Sequence, residues 1–200
     1  LGWSPGDDRE KMTREEIISS FSIDRIKSSP AQFDIQKMTN MNGMYISEMT
    51  TENIISTLSQ FIDWDEPKST SEEFAKIATL MQSRTKTLVQ ATEWKYFFHE
   101  NYEVNQKDLE KAFSNPRIKE AILSLKDAFA NFANPTIDTL NEQIRKTETD
   151  FSLKKGSLNF PLRIILSGTK SGPPIEDIIM AIGTKKSADR IKSKVLTSPQ

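Results

Sequence analysis

The chain has 200 residues, 36% of them hydrophobic, enough for one or two compact domains with real cores. Its 27 basic and 28 acidic residues leave a net charge of −1, so the overall balance points neither to nucleic acid nor to a membrane surface. The absence of cysteine and the single histidine, His99, exclude disulfides, cysteine-based zinc sites and multi-histidine metal centres.

Leu1 to Asp8 reads as a turn built on Pro5-Gly6-Asp7. Thr13 with Glu16 forms a capping box for a short helix carrying Ile17, Ile18 and Phe21 on one side. Ser22 restarts a helical turn through Ile26, and Ser28-Ser29-Pro30 interrupts it. Asp34 caps a helix from Ile35 to about Asn40, and Asn42-Gly43 is expected to be a turn. Thr51 begins an amphipathic helix with Ile54, Ile55, Leu58, Phe61 and Ile62 as its stripe, ended by Asp63 to Lys68 with Pro67. Thr70 with Glu73 offers a further box, followed by the stripe Phe74, Ile77, Ala78 and Met81.

Ser83 to Leu88 is a polar, basic corner between helices. Thr87 with Gln90 can cap the next helix, whose faces carry Leu88, Ala91, Trp94 and Phe98. Asn105 starts a short helix to Phe113. Asn115-Pro116 pairs an N-cap with proline at the first helical position, ahead of the apolar stripe Ile118, Ala121, Ile122, Leu125 and Phe129. Asn134-Pro135 breaks it. A long helix follows from Thr136 with Ile137, Leu140, Ile144 and Phe151 inward, and Lys154-Lys155-Gly156 is read as its end. Thr184 is expected to cap a last helix with Ala188, Ile191 and Val195 on one side, fraying from Thr197 to Gln200. Period-two alternation is absent and caps recur, so the fold class is all-α, built of short packed helices.

No Gly-rich phosphate loop and no nucleophile–base pair is present. The carboxylates at Glu15-Glu16 and Glu72-Glu73 sit at helix starts, where dipole and capping explain them. Attention falls instead on Phe160 to Lys186. Pro173-Pro174 opens a helix there, and a Gly/Ser/Pro loop at a helix N-terminus has free N–H groups that suit acceptor-rich ligands. Charge is also uneven. Gln143 to Lys194 holds 11 basic and 5 acidic residues, against 16 and 23 in the remainder, so a basic quarter adjoins an acidic body.

Three blocks of residue order carry more than spacing. One is Pro161-Leu162-Arg163, Ser167-Gly168, Gly172-Pro173-Pro174, Ile178 to Gly183, and Arg190-Ile191. Another is Phe21, Arg25, Ser29, Phe33-Asp34, Lys37-Met38, Asn42 and Tyr45. The third is Arg84 to Leu88 followed by Tyr96-Phe97-Phe98. In these the chain resembles the C-terminal part of bacterial glutamyl-tRNA synthetases, with a departure at Asn40, where many members have Trp. The apolar members of the second block are expected to be junction packing.

The resemblance implies an irregular anticodon-binding bundle of two helical subdomains, 49–106 and 107–200, behind the end of a stem-contact junction at 1–48. It implies that Arg163 with Gly172, Pro173, Pro174 and Ile175 meets the first two anticodon positions, and that Arg84 meets the third. On charge alone, Lys170, Lys185, Lys186 and Arg190 are expected to contact phosphates. The parent enzyme would ligate glutamate to tRNA(Glu), with tRNA(Gln) an open second substrate. ATP and Mg2+ would belong to a catalytic part that this chain lacks, and no cofactor or catalytic residue is expected here. A soluble, cytoplasmic monomer without membrane contact is expected, and the start at Leu1 rather than Met suggests a piece of a longer protein. The other reading is a helical protein-interaction module without RNA binding, which a pI of about 6.0 suits.

Overall fold

A computed structural model describes residues 2–7, 9–28, 30, 32–62 and 71–196. All regular structure among them is helical: α1 (Arg14–Ser20), a short 3₁₀ turn (Ile23–Arg25), α2 (Ile35–Ser47), α3 (Thr51–Leu58), α4 (Glu72–Gln82), a 3₁₀ helix (Leu88–Phe97), α5 (Gln106–Ala112), α6 (Pro116–Ala130), α7 (Ile137–Asp150), α8 (Asn159–Ser167), α9 (Ile175–Ile182) and α10 (Thr184–Leu196). Side chains supply the orphan N–H groups at most starts. Thr13 accepts from Glu16, Asp34 from Lys37, Asn105 from Lys107 and Asp108, and Asn115 from Arg117, with Pro116 at the first helical position. Ser71 caps α4; the expected cap Thr70, the break at 63–68 and the fraying end at 197–200 lie outside the described residues.

One apolar interior runs from Ile46 to Val195 and includes Phe74, Trp94, Phe129, Leu140 and Ile191. Each fully buried side chain of this size stabilises the fold by about 1.5–3 kcal/mol. Helix α10 packs along α6 and also meets α8 and α9; α9 in turn touches α4, α7, α8 and the 3₁₀ helix. Helix α9 therefore joins the α3–α4 end of the chain to the α6–α10 end.

Four local features differ from the sequence-based expectations. Asn42-Gly43 is not a turn: α2 runs straight through it to Ser47. A Cβ on Gly43 would stand 3.3 Å from Lys86 Cγ and 3.4 Å from Lys86 Cα, and Asn42 Nδ2 donates to Lys86 O at 2.6 Å. The pair is there to let α2 approach the 83–87 corner. Leu88 to Phe97 is a 3₁₀ rather than an α-helix, although such runs beyond about four residues are uncommon. Its buried residues Ala91, Trp94 and Phe97 recur every third position, the 3₁₀ period, with Tyr96 buried beside them.

Helix α7 stops at Asp150, not at Lys155. Ser152 takes a left-handed φ of 53°, Leu153 N–H donates to Glu148 O at 2.7 Å, and Ser152 N–H to Thr149 O at 2.9 Å. That is the Schellman closure with serine in the usual glycine place. Thr184 is the first residue of α10 rather than its cap.

The 1–48 segment departs furthest. Phe21, Phe33, Met38, Ile17, Ile18 and Ile23 are exposed, and of its described large apolar residues only Met12 and Ile46 are buried. The expected junction core is not formed among the described residues, none of which covers that face. Local ties hold the segment instead: Lys27 N–H to Gly2 O at 2.8 Å, Arg25 to Pro5 O, and Tyr45 Oη to Met12 O at 2.8 Å.

Candidate nucleic-acid interface

The corner that carries Arg84 is held on every side by backbone bonds. Arg84 N–H donates to Met81 O at 2.9 Å, Thr85 Oγ1 to Met81 O at 2.9 Å, and Lys86 and Thr87 N–H to the Gln90 carboxamide oxygen at 2.8 and 3.2 Å. Gln82 Nε2 ties α4 back to the Ile46 and Met49 carbonyls at 2.8 and 2.7 Å. Lys86 Nζ donates to Asn40 Oδ1 at 2.7 Å, so the residue that departs from the resemblance serves as an acceptor on the surface of α2. The backbone is fixed while the Arg84 side chain stays exposed.

Helix α8 is fixed just as firmly. Leu158, at its start, has no capping side chain, and Glu148 from α7 does the work: its Oε1 accepts from Leu158 N–H at 3.0 Å. Arg145 Nη1 donates to Glu148 Oε2 at 2.7 Å. Desolvation alone would raise the pKa of this buried carboxyl, but the hydrogen bonds from Leu158 and Arg145 outweigh it and hold the group below its ordinary value. At the other end Gly168 caps α8 with φ 71°, and Tyr102 Oη donates to Ile165 O. Gly168 is obligatory, since a Cβ there would lie 2.1 Å from Glu103 O.

Most of α8 is buried, and beyond its first two residues Arg163 is the half-buried exception. Its Nη1 donates to Pro173 O at 2.7 Å, tying the helix to the loop that precedes α9. Ser167 and Thr169 share a hydroxyl bond of 2.9 Å, and Thr169 Oγ1 donates to Ser171 O at 2.7 Å. Gly172, at φ 153°, passes Arg163 so closely that a Cβ would be 3.1 Å from Nη1. Within this loop Pro173 and Ile175 are buried and Gly172 and Pro174 are exposed.

Corner and loop face each other. They bound a cleft of about 510 Å³ lined by Arg84, Gln90, Glu93, Trp94 and Tyr96 on one side and Thr169, Ser171 and Gly172 on the other. Burial lowers the Arg163 pKa below its ordinary value; Tyr96 and Glu176 oppose this, whereas the like charge of Arg84 adds to it, which places the two guanidinium groups in each other's field. A planar donor fork at the rim of an open cleft, with a second behind its loop, suits an acceptor-rich planar ligand.

The four expected phosphate contacts part company. Lys170 and Lys185 are exposed; Lys170 Nζ stands 3.0 Å from Asp108 Oδ1. Lys186 is turned towards Glu100 Oε1 at 3.1 Å and Phe97 O at 3.5 Å. Arg190 is 1% exposed, and the expectation for it fails. Its Nη1 donates to Leu166 O at 2.6 Å, its Nη2 to Tyr96 O at 2.7 Å, and its Nε and Nη2 to Glu100 at 3.0 Å each, with Tyr102 stacked against Cζ at 4.7 Å. All three nitrogens face protein acceptors, so Arg190 holds α10, α8 and the end of the 3₁₀ helix together. Sequence reasoning gave no site role to the cleft residues Gln90, Glu93, Tyr96, Thr169 and Ser171; the available signal was an aromatic-polar run one turn beyond the arginine corner.

Comparison with known proteins bears on this arrangement. The glutamate–tRNA ligase 2 of Caldicellulosiruptor saccharolyticus is 30% identical over 199 residues, covering 96% of this chain and 40% of that protein. The glutamate–tRNA ligase of Desulforudis audaxviator is 26% identical over 195 residues, covering 93% and 39%. A crystal structure of a glutamate tRNA ligase from Elizabethkingia meningosepticum superposes over 100% of this chain and 39% of that one, with a TM-score of 0.82 at 26% identity. The chain thus spans about 40% of the length of the relatives it matches. The family model described as "Anticodon binding domain" matches residues 49–195, which include Arg84, the 168–174 loop and every helix from α3 to α9, and by that match the chain belongs to the anticodon-binding domain family.

Proposed function

We propose that the chain is the anticodon-reading part of a glutamyl-tRNA synthetase whose whole length joins glutamate to tRNA(Glu) with ATP. The observation that carries this reading is the cleft between the Arg84 corner and the Gly172 loop, with Arg163 behind the loop. Single-stranded loops are read by splaying bases against guanidinium or aromatic planes and bonding their exposed edges. Arg84 would address the third anticodon base. Arg163, with the Gly172, Pro173, Pro174 and Ile175 backbone, would address the first two. The donors of Arg163 not spent on Pro173 remain for a base edge, and the bare Cα of Gly172 leaves the approach open.

Lys170, in the loop after α8, and Lys185, in the first turn of α10, are exposed and suit phosphates. ATP and Mg2+ would enter with the remaining part of the synthetase, and this chain alone would bind tRNA without charging it. We take it to act as a cytoplasmic monomer; tRNA(Gln) is the competing substrate against which Arg84 would discriminate.

The test is a salt titration of tRNA binding, followed by fluorescence anisotropy. The logarithm of affinity should fall with that of salt by about 0.7 for each single-strand phosphate contact. Lys170→Ala and Lys185→Ala should each make the slope shallower. No binding, or binding indifferent to salt, would refute the reading and favour an apolar protein interface.

A further inference from the structure

The chain has three tyrosines, and two of them place the hydroxyl on a backbone carbonyl: Tyr45 on Met12 O at 2.8 Å and Tyr102 on Ile165 O. Tyr96 differs. It is only 5% exposed, and its ring lies 4.3 Å from that of Phe97, centroid to centroid, inside the core. Its backbone carbonyl accepts from Arg190, yet among the described residues its hydroxyl has no hydrogen-bond partner. It is not sealed in the core either, so it is left to solvent or to a ligand.

The hydroxyl opens on the cleft. Tyr96 lines it together with Arg84, Glu93 and Gly172, and Oη lies 3.9 Å from the point that a Cβ on Gly172 would occupy. Substituting Gly172 would thus crowd Arg163 and bring the new side chain into ordinary contact with Tyr96 Oη. Burial pushes the phenol well above its ordinary value of 10.0, which the nearby charges of Arg163 and Arg190 only partly offset. The group is a neutral O–H at any working pH, able to donate or accept.

We propose that the Tyr96 hydroxyl reads a base: with Arg84 it bonds the edge of the unstacked nucleotide seated between the 83–87 corner and Gly172. This rests on the anticodon reading above and deepens it. Glutamate codons put cytosine at the third anticodon position, and glutamine codons put guanine there. Cytosine presents two adjacent acceptors, O2 and N3, which two protein donors, one guanidinium and one phenol, can satisfy together. Guanine presents an N–H and an amino group at the corresponding places. A guanidinium has no acceptor for them, so the wrong base sets the Arg84 donors against its own.

The experiment measures, for the full chain and for Tyr96→Phe and Arg84→Ala, the affinity for two tRNA transcripts. One carries a glutamate anticodon and the other differs only by guanine at the third anticodon position. Thermal midpoints are recorded alongside. Tyr96→Phe should keep the midpoint, since no protein bond is lost, and should bind the cytosine transcript about tenfold more weakly, or about 1.4 kcal/mol. The guanine transcript should change less, so the ratio narrows. A Tyr96→Phe variant with unchanged affinities, beside an Arg84→Ala variant that has lost the ratio, overturns the tyrosine assignment and leaves the anticodon reading standing. A lowered midpoint in Tyr96→Phe would mean that the hydroxyl is held within the protein, and overturns it too. Should the unmodified chain not distinguish the transcripts, the anticodon reading falls and this inference falls with it.

Discussion

Replacing Arg190 by methionine removes the guanidinium while keeping much of the volume. The Leu166 and Tyr96 carbonyls, bonded at 2.6 and 2.7 Å, then lose a charged donor in the interior. Such bonds are worth about 1.5–3 kcal/mol each, so the two together suggest about 3–6 kcal/mol. The stacking on Tyr102 adds little beyond this, because methionine recovers part of the contact. Glu100 contributes less than its two short bonds imply: its side chain is 57% exposed, so water replaces the lost partner. A net cost of about 3–5 kcal/mol matches what breaking a buried charged network usually costs. In a protein of this size that corresponds to a fall in Tm of roughly 6–20 °C, followed by circular dichroism.

The acid limb supplies a second readout of the same change. Desolvation pushes the Glu100 carboxyl up, but its bonds to Arg190 and then Lys186 outweigh that and hold it below 4.5. A carboxyl depressed in the folded state contributes stability that is complete above 4.5 and is lost as pH falls through the folded value. Arg190→Met should therefore flatten the loss of stability below pH 4.5. A shift under about 1 kcal/mol at neutral pH, smaller than a single bond of this kind, would refute the structural role assigned to Arg190.

Two other perturbations bear on how α8 is held. Gly168→Ala combines φ 71° with a Cβ 2.1 Å from Glu103 O, and should cost about 2–4 kcal/mol in urea unfolding; a neutral result would mean that α8 does not end where described. Glu148→Gln keeps the shape but loses the charge that Arg145 and Leu158 N–H address, and should cost about 1–3 kcal/mol with faster amide exchange at Leu158. Unaltered exchange there would show that α8 has another cap.

Helices with their own caps were readable residue by residue. Thr13, Asp34, Asn105 and Asn115 each stand at the start they signal, because capping is a short-range bond between neighbours in sequence. What escaped were features whose cause is distant. Asn42-Gly43 has turn chemistry, but the nearness of Lys86 makes it a helix contact. The start of α8 depends on Glu148, ten residues back on another helix. The 3₁₀ helix was visible only to a reader who took Ala91, Trp94 and Phe97 as a strict period of three instead of pairing Trp94 with Phe98.

The site divided along the same line. The Arg84 corner and the Gly172 loop, each a local composition, were found from sequence; that they enclose one cleft is a matter of tertiary packing through α9. Arg190 looked like a surface cation because it sits in a basic helix beside Lys186 and Lys192. Its burial follows from Glu100 and three backbone carbonyls, partners 24 to 94 residues away that no local pattern announces.

The most direct measurement is the ratio of affinities of this chain for tRNA with a glutamate anticodon and for the same tRNA with the third anticodon base changed, in the unmodified protein and in Arg84→Ala. The account predicts that the unmodified chain favours the glutamate anticodon, and that losing the fork removes about 1–3 kcal/mol of that preference. An Arg84→Ala variant that binds both transcripts with the unmodified ratio would contradict it.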